Sequence, residues 1–253
     1  MTLTEVNLPQ IEKCLYLLPI SDLHIGSGQF NRKKLESYLE WFYEYPNSRF
    51  FLNGDVFNCG TKHSVRNVHA EKMPLHTCKE VFYEIFEPYQ QHCLGWVDGN
   101  HEEQIYKDTG DLIGKDVCRQ MNWPYFGVEM YLKLRFGKRE NQKPFVYVLY
   151  ATHGFGGGRK NGTALNKIED LRLICLADIY VASHHHHQVA SQNLYYVPDL
   201  RNNKVDERKI TYCGSGTFKD IGRWEKTKGM SPPKIGSPRL RLDATRKDCH
   251  VSL

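Results

Sequence analysis

Four consecutive histidines, His184 to His187, follow directly on the apolar, β-branched run Ile179 to Ala182. A run of that kind makes a buried strand, and neutral imidazole is the commonest side-chain ligand for transition metals. Strand ends are rigid places to hold one. An affinity tag does not account for a run that is internal and abuts a strand; a loop of solvated histidines is the bland alternative for this stretch taken alone. Four upstream segments shift that balance. Asp22-Leu23-His24, Gly54-Asp55, Gly99-Asn100-His101-Glu102 and His153-Gly154 each close an apolar run of their own. In open α/β sheets sites form at the carboxyl ends of strands, so these ends can converge in space. Any one motif is weak. Together they offer a carboxylate able to bridge, several imidazoles and a neutral amide oxygen, the ligands that two divalent ions about 3.5–4 Å apart require.

The elements that must position these residues alternate. Leu15 to Ile20 reads as a strand ending at Asp22, and Arg32 to Tyr45 as a helix with Leu35, Tyr38, Leu39 and Phe42 at helical spacing. Arg49 to Leu52 is a second strand ending at Asp55, and a polar connection carrying His63, Arg66, His69 and Lys72 leads to about Pro74. Leu75 to Tyr89 is helical, Cys93 to Val97 is a third strand, and Leu112 to Met121 is a helix. Tyr131 to Phe136 and Phe145 to Tyr150 form a strand pair joined by the basic stretch Gly137 to Lys143, the second strand leading to His153. Ala164 to Leu176 is helical and precedes the histidine strand. Leu194 to Val197 and Ile210 to Cys213 are late strands, and either a last strand, Leu240 to Leu242, or a closing hairpin to Val251 finishes the sheet. Gly229 to Pro238 is a loop rich in Gly, Pro and Ser. Without an internal repeat or a clean linker, residues 1–253 are expected to form one α/β domain.

Composition narrows the class. Hydrophobic residues at 40% and charged residues at 25% are those of a soluble globular protein. The 34 basic and 29 acidic residues leave +5, compatible with a polyanionic ligand but far from a nucleic-acid coat. The eight cysteines are scattered, with no C-x-x-C pair, which suits reduced thiols and a cytoplasmic location. The apolar run Cys14 to Ile20 is too short to span a membrane, and no membrane partner is expected.

The order D-x-H, G-D, G-N-H-E, H and a final histidine pair resembles the motif series of the calcineurin-like metallophosphoesterases, over about Ser21 to His187. The resemblance implies a two-sheet β-sandwich flanked by helices. It implies a first metal held by Asp22, His24, Asp55 and the second histidine of the last motif. A second metal would take Asp55 as the bridge, Asn100, His153 and the first histidine of that motif. His101 would face the phosphate and help the leaving group depart. Family spacing counted from Asp178 selects His184 and His186; His185 and His187 are the alternative, on the opposite face of the strand extension. Manganese suits this ligand set best, with iron, zinc, nickel or magnesium as alternatives. Two dications lower the pKa of a bridging water from about 15.7 toward 7 and clamp the phosphoryl oxygens. Two positions depart from the pattern: Ser183 stands where the family has glycine, and Asn58 where protein Ser/Thr phosphatases have an aspartate followed by arginine. Asn58 would orient the His101 ring without stabilising its charge.

The opening Ser21-Asp22-Leu23-His24-Ile25-Gly26-Ser27 is similar to the nuclease-type branch of the family, including the exonuclease subunit of archaeal replicative polymerases. Asn58 is at home, by resemblance, in small bacterial phosphodiesterases. The expected activity is therefore phosphodiester hydrolysis of nucleotides, cyclic oligonucleotides or nucleic acid by a metal-activated hydroxide. Asn58, Arg159 and Lys160 are the candidate substrate contacts, the last two beside a glycine-rich loop whose N–H groups can approach a phosphate. Phe155 could stack on a base, and His63, Arg66, His69 and Lys72 could cap the cleft. A nucleotide-sugar or lipid pyrophosphohydrolase, or a phosphomonoesterase, is the runner-up, though no convincing amphipathic membrane-facing helix is present. A catalytically inactive scaffold is the reading from another class; such domains lose ligands, whereas here every ligand position is filled.

Overall fold

The computed structural model describes residues 1–58, 60, 73–137 and 144–253. The candidate cap residues His63, Arg66, His69 and Lys72, and most of the basic connection after Gly137, lie outside the described residues. Among the described residues the strands form two mixed sheets. In the first, β2 (Cys14–Ile20), β3 (Ser48–Asn53) and β4 (Cys93–Val97) run parallel as neighbours, and β10 (Arg239–Asp243) and β11 (Cys249–Ser252) continue the sheet antiparallel beside β2. The second has the order β1 (Leu3–Leu8), β5 (Glu129–Phe136), β6 (Phe145–Thr152), β7 (Ile179–Ala182), β9 (Lys204–Ser215), β8 (Gln188–Asp199). Within it β6, β7 and β9 run parallel.

The sheets stack face to face. Leu15, Leu17, Phe51, Leu132, Leu149 and Val181 share the core between them. On the outer face of the first sheet, Leu18, Ile20, Phe50 and Leu52 pack against α1 (Arg32–Glu44), α2 (Leu75–Phe86) and α4 (Ile113–Met121). On the outer face of the second, Tyr180 and Ala182 meet α5 (Asn161–Asp170). Strands covered on both faces read as near-continuous apolar runs, which is why β2, β3 and β7 carry so little alternation. Helix α1 begins where the Asn31 side chain accepts from Lys34 N at 3.1 Å, and it buries Leu35, Leu39 and Phe42 at helical spacing. This helix-flanked sandwich is the architecture expected from the sequence.

Some boundaries differ from the sequence reading. A helix, α3 (Asn100–Thr109), starts directly at the third motif. The late strands are longer than expected, because β8 and β9 form one hairpin of paired 12-residue arms. No helix among the described residues is long and apolar enough to cross a membrane, and every described cysteine is free.

Candidate metal centre

Two sets of three parallel strands bring their carboxyl ends to one place. From β2, β3 and β4 come Asp22 and His24, Asp55, and Asn100 and His101; from β6 and β7 come His153 and the histidine run. Side chains bonded to backbone carbonyls fasten the sets together: Asn53 Nδ2 donates to Thr152 O at 2.8 Å, and His153 Nδ1 lies 2.8 Å from Asn53 O. Two glycines make the approach possible. A Cβ on Gly54, whose φ is +83°, would lie 2.5 Å from His153 Nδ1, and one on Gly99 would lie 2.3 Å from Asp55 Oδ1.

The ligand-type atoms fall into overlapping groups, each within 4.8 Å: Asp22, His24 and His186; His24, Asp55 and His101; Asp55, His153 and His184. His24 joins the first two groups and Asp55 the last two, Asp55 Oδ2 lying 3.3 Å from His153 Nε2, 3.7 Å from His101 Nε2 and 4.0 Å from His24 Nε2. On one side of it His186 Nε2 lies 3.1 Å from Asp22 Oδ1 and 3.3 Å from His24 Nε2. On the other, Asn100 Oδ1 lies 3.2 Å from His153 Nε2 and 2.8 Å from His184 Nδ1. Of the seven non-glycine residues with positive φ among the described residues, five belong here: Asp22, His24, Asp55, His184 and His186. Left-handed backbone is unfavourable for such residues, and strain of this kind concentrates at functional sites.

The histidine run departs from the expected extension of a strand. β7 stops at Ala182, and His184 to His187 form a tight turn in which His185 N donates to Ser183 O at 2.7 Å. Left-handed backbone at His184 and His186 turns both rings onto the other ligands. His185 and His187 belong to none of these groups and line the cleft beside them, where His185 Nε2 is buried without a hydrogen-bond partner.

The electrostatics are those of a site made for cations. Burial pushes the Asp55 carboxyl up, but His153, His101 and His24 around it outweigh that and hold it well below the usual carboxylate range. Asp22 behaves alike, with His186 the main counterweight to burial. Burial drives His24 well below the ordinary imidazole value and lowers His184 too, so both are neutral donors near pH 7. Burial also opposes charge on His153, yet Asp55 and Asp22 raise it to about 10. Asp22 Oδ1 and His24 Nδ1 are buried without a well-directed hydrogen bond, although most buried polar groups have one. Hard oxygen and imidazole donors with unspent capacity fit divalent metal ions.

The surrounding residues brace this set. Glu102 accepts from Asp55 N and Gly99 N through Oε2, and from Val56 N and Phe57 N through Oε1, all between 2.9 and 3.1 Å. Burial and Asp55 push its pKa up, whereas the N–H donors favour the ionised form. Ser183, in place of glycine, joins a buried hydroxyl chain: Asn53 Nδ2 and Ser215 Oγ donate to Ser183 Oγ, Ser21 Oγ touches Ser215 Oγ, and Ser21 donates to Asp22 Oδ2. His101 N donates to Asp55 Oδ1 at 3.0 Å, and His101 Nδ1 contacts the backbone carbonyl of Asn58. The sequence reading gave that orienting part to the Asn58 side chain; the main chain takes it.

Of the expected substrate contacts, Arg159 lines the cleft and donates through Nη1 to Lys228 O at 3.0 Å. Lys160 does not line it; its backbone carbonyl starts α5 by accepting from Thr163 N. Asn58 is buried behind His101 and is absent from the lining. Phe155 is exposed, under the Lys167 ammonium. Missed by sequence reasoning is the wall after β9, where Lys219, Glu225 and Met230 line the cleft. Its signal was a sixth strand running into the polar turn Ser215-Gly216-Thr217, a pattern already informative at the other strand ends.

No protein-family model and no curated protein matches the chain. Among solved structures, the crystal structure of the calcineurin-like phosphoesterase YfkN from Bacillus subtilis is similar to it over 96% of this chain and 91% of that one, at 11% identity and a TM-score of 0.39.

Proposed function

We propose that this chain is a metal-dependent phosphoesterase, and within that class a phosphodiesterase acting on nucleotides, cyclic oligonucleotides or nucleic acid. The observation that carries the reading is the place of Asp55, which groups with His24 and His101 on one side and with His153 and His184 on the other, His24 in turn belonging to a group with Asp22 and His186. Asp22, His24, Asp55 and His186 would hold one divalent cation, manganese by preference, and Asp55, Asn100, His153 and His184 a second. Bound there, such a pair supplies Lewis-acid activation and neutralises phosphoryl charge.

The chain's own groups do the rest. Helix α3 begins at the site, with His101 N on Asp55 Oδ1, and the positive end of its dipole favours an anion there. His101 Nδ1 faces a carbonyl, an acceptor, and therefore carries the proton. Nε2, 3.7 Å from Asp55 Oδ2, then holds a proton only in the imidazolium form. In that state His101 can give a proton to a departing oxygen. Phosphodiester substrates are favoured because the position after Asn58 is a cysteine, so the arginine that accompanies this motif in phosphoprotein phosphatases is missing.

The test is hydrolysis of bis(para-nitrophenyl) phosphate against para-nitrophenyl phosphate in metal-supplemented buffer, followed by a panel of nucleotides and oligonucleotides. Faster turnover of the diester is expected. Preference for the monoester would overturn the phosphodiesterase reading, and inactivity on both would overturn the phosphoesterase reading. His101→Ala is expected to slow a ribose leaving group more than a nitrophenolate, which needs no acid. Equal losses on both would remove His101 from the role of acid.

A further inference from the structure

The cleft wall opposite the glycine-rich loop is laid directly on a candidate metal ligand. Phe218 N and Thr217 Oγ1 both donate to Asp22 O, at 3.2 and 2.8 Å, and Lys219 N donates to Thr217 Oγ1 at 3.1 Å. The Lys219 side chain is 9% exposed, and its ammonium pairs with Glu225 on the short helix α6 (Arg223–Thr227). The second oxygen of Glu225 accepts from Gly222 N at 3.0 Å, so the carboxylate is fixed to the main chain. Lys219 and Glu225 line the same cleft as Asp55, Asn100, His184 and Arg159. The Lys219 charge also reaches the site, where it adds to the burial that keeps His24 neutral.

A buried ammonium is costly unless paired, and an apolar side chain would fill a purely structural wall position. A charge kept at the edge of a metal-ligand cluster points to a ligand of opposite sign. An ammonium has three donors, so the bond to Glu225 leaves capacity for another acceptor. We propose that Lys219 binds a non-bridging phosphoryl oxygen of the substrate, with Glu225 holding its ammonium in position from behind. This rests on the phosphoesterase reading above and deepens it by assigning a substrate-binding cation outside the motif series.

Calorimetric titration of orthophosphate into the metal-loaded protein tests the assignment, with bis(para-nitrophenyl) phosphate kinetics measured alongside. Lys219→Met is expected to weaken orthophosphate binding by about tenfold or more, the usual cost of losing a charge-assisted hydrogen bond, and to raise KM more than it lowers kcat. Lys219→Arg keeps the charge and most of the affinity. Glu225→Gln discriminates between roles. It removes a competing negative charge, so phosphate is expected to bind at least as tightly as to the wild type. If Lys219 merely latched α6 to the wall, Lys219→Met and Glu225→Gln would break the same pair and weaken phosphate together. That result, or unchanged affinity in Lys219→Met, overturns the proposal. Should Lys219→Met fail to fold with Glu225 buried alone, Lys219→Met in the Glu225→Gln background replaces it, with phosphate expected about tenfold weaker than for Glu225→Gln itself. A wild type that binds phosphate yet hydrolyses no phosphoester would sink the phosphoesterase reading while leaving Lys219 to be judged by binding.

Discussion

The floor of the cleft and its walls are held in different ways. Floor residues sit within a few positions of a strand end; Asp22, His24, Asp55, His101 and His153 are buried, and several short contacts fix them: Asp55 gives its amide to Glu102, takes the amide of His101 on Oδ1 and faces His153 with Oδ2. The walls are the loop 156–159 and the segment 219–233 with its short helix α6, linked to each other by Arg159 on Lys228 O and steadied by Lys219 on Glu225. Geometry on sheet ends is rigid enough to place metal ligands, whereas a few loop contacts can change without disturbing that geometry. Chemistry should therefore reside in the floor and substrate choice in the walls.

The sharpest contrast lies within the histidine run, where neighbours belong to different regions. His184→Ala and His186→Ala are each expected to lower hydrolysis more than about a hundredfold, beyond the 10–100-fold typical of residues that only support a ligand. His185→Ala and His187→Ala are expected to change activity by less than about tenfold. A reversed ranking in steady-state rates would put the wrong pair of rings on the floor.

Proton release gives a second break point. His153 must be neutral to ligate a metal, yet without one Asp55 and Asp22 outweigh its burial and raise its pKa to about 10. A bound cation then displaces a proton at any pH below that value, and apparent affinity climbs by about tenfold per pH unit for the proton displaced. Calorimetry of metal binding at pH 7.5 in buffers of different ionisation enthalpy should register close to one proton released. No release would mean that His153 is not a ligand. Wall variants such as Lys219→Arg should leave the count unchanged.

The bracing residues should affect stability more modestly. Glu102→Gln turns one acceptor into a donor facing backbone N–H groups and is expected to cost about 1–3 kcal/mol, read as a lower midpoint in urea. Ser183→Ala removes the oxygen on which Asn53 and Ser215 converge. About 1 kcal/mol is expected there, with metal affinity reduced by no more than about tenfold. An unchanged midpoint for Glu102→Gln would show that the brace is not needed to hold the Asp55 turn.

Legibility in the sequence follows the same division. The strands that carry the site could be read because β2, β3, β4 and β7 are short apolar runs that each end on a polar motif within two or three residues, whereas the two-sheet sandwich was only what the family resemblance implied. Those motifs are local, so spacing alone exposes them. Helix α3 was missed because Asn100 to Thr109 is polar and short, and its start coincides with the site. The backbone turn at His184 and His186 was also hidden, since a left-handed conformation at histidine leaves no mark in residue type. The wall after β9 left only the signal of a strand running into a polar turn, because Lys219 is seated by Thr217, whose own contact to Asp22 spans 195 positions.

The central claim is that Asp55 is shared between two cation positions. The most direct measurement is metal content per chain by mass spectrometry, after saturation with manganese and desalting, for the wild type and Asp55→Asn, with circular dichroism to verify the fold and diester hydrolysis measured on the same samples. Two ions per chain in the wild type, fewer than one in Asp55→Asn, and loss of hydrolysis with the fold intact are the expected results. Two retained ions and full activity in Asp55→Asn would contradict the shared-ligand assignment.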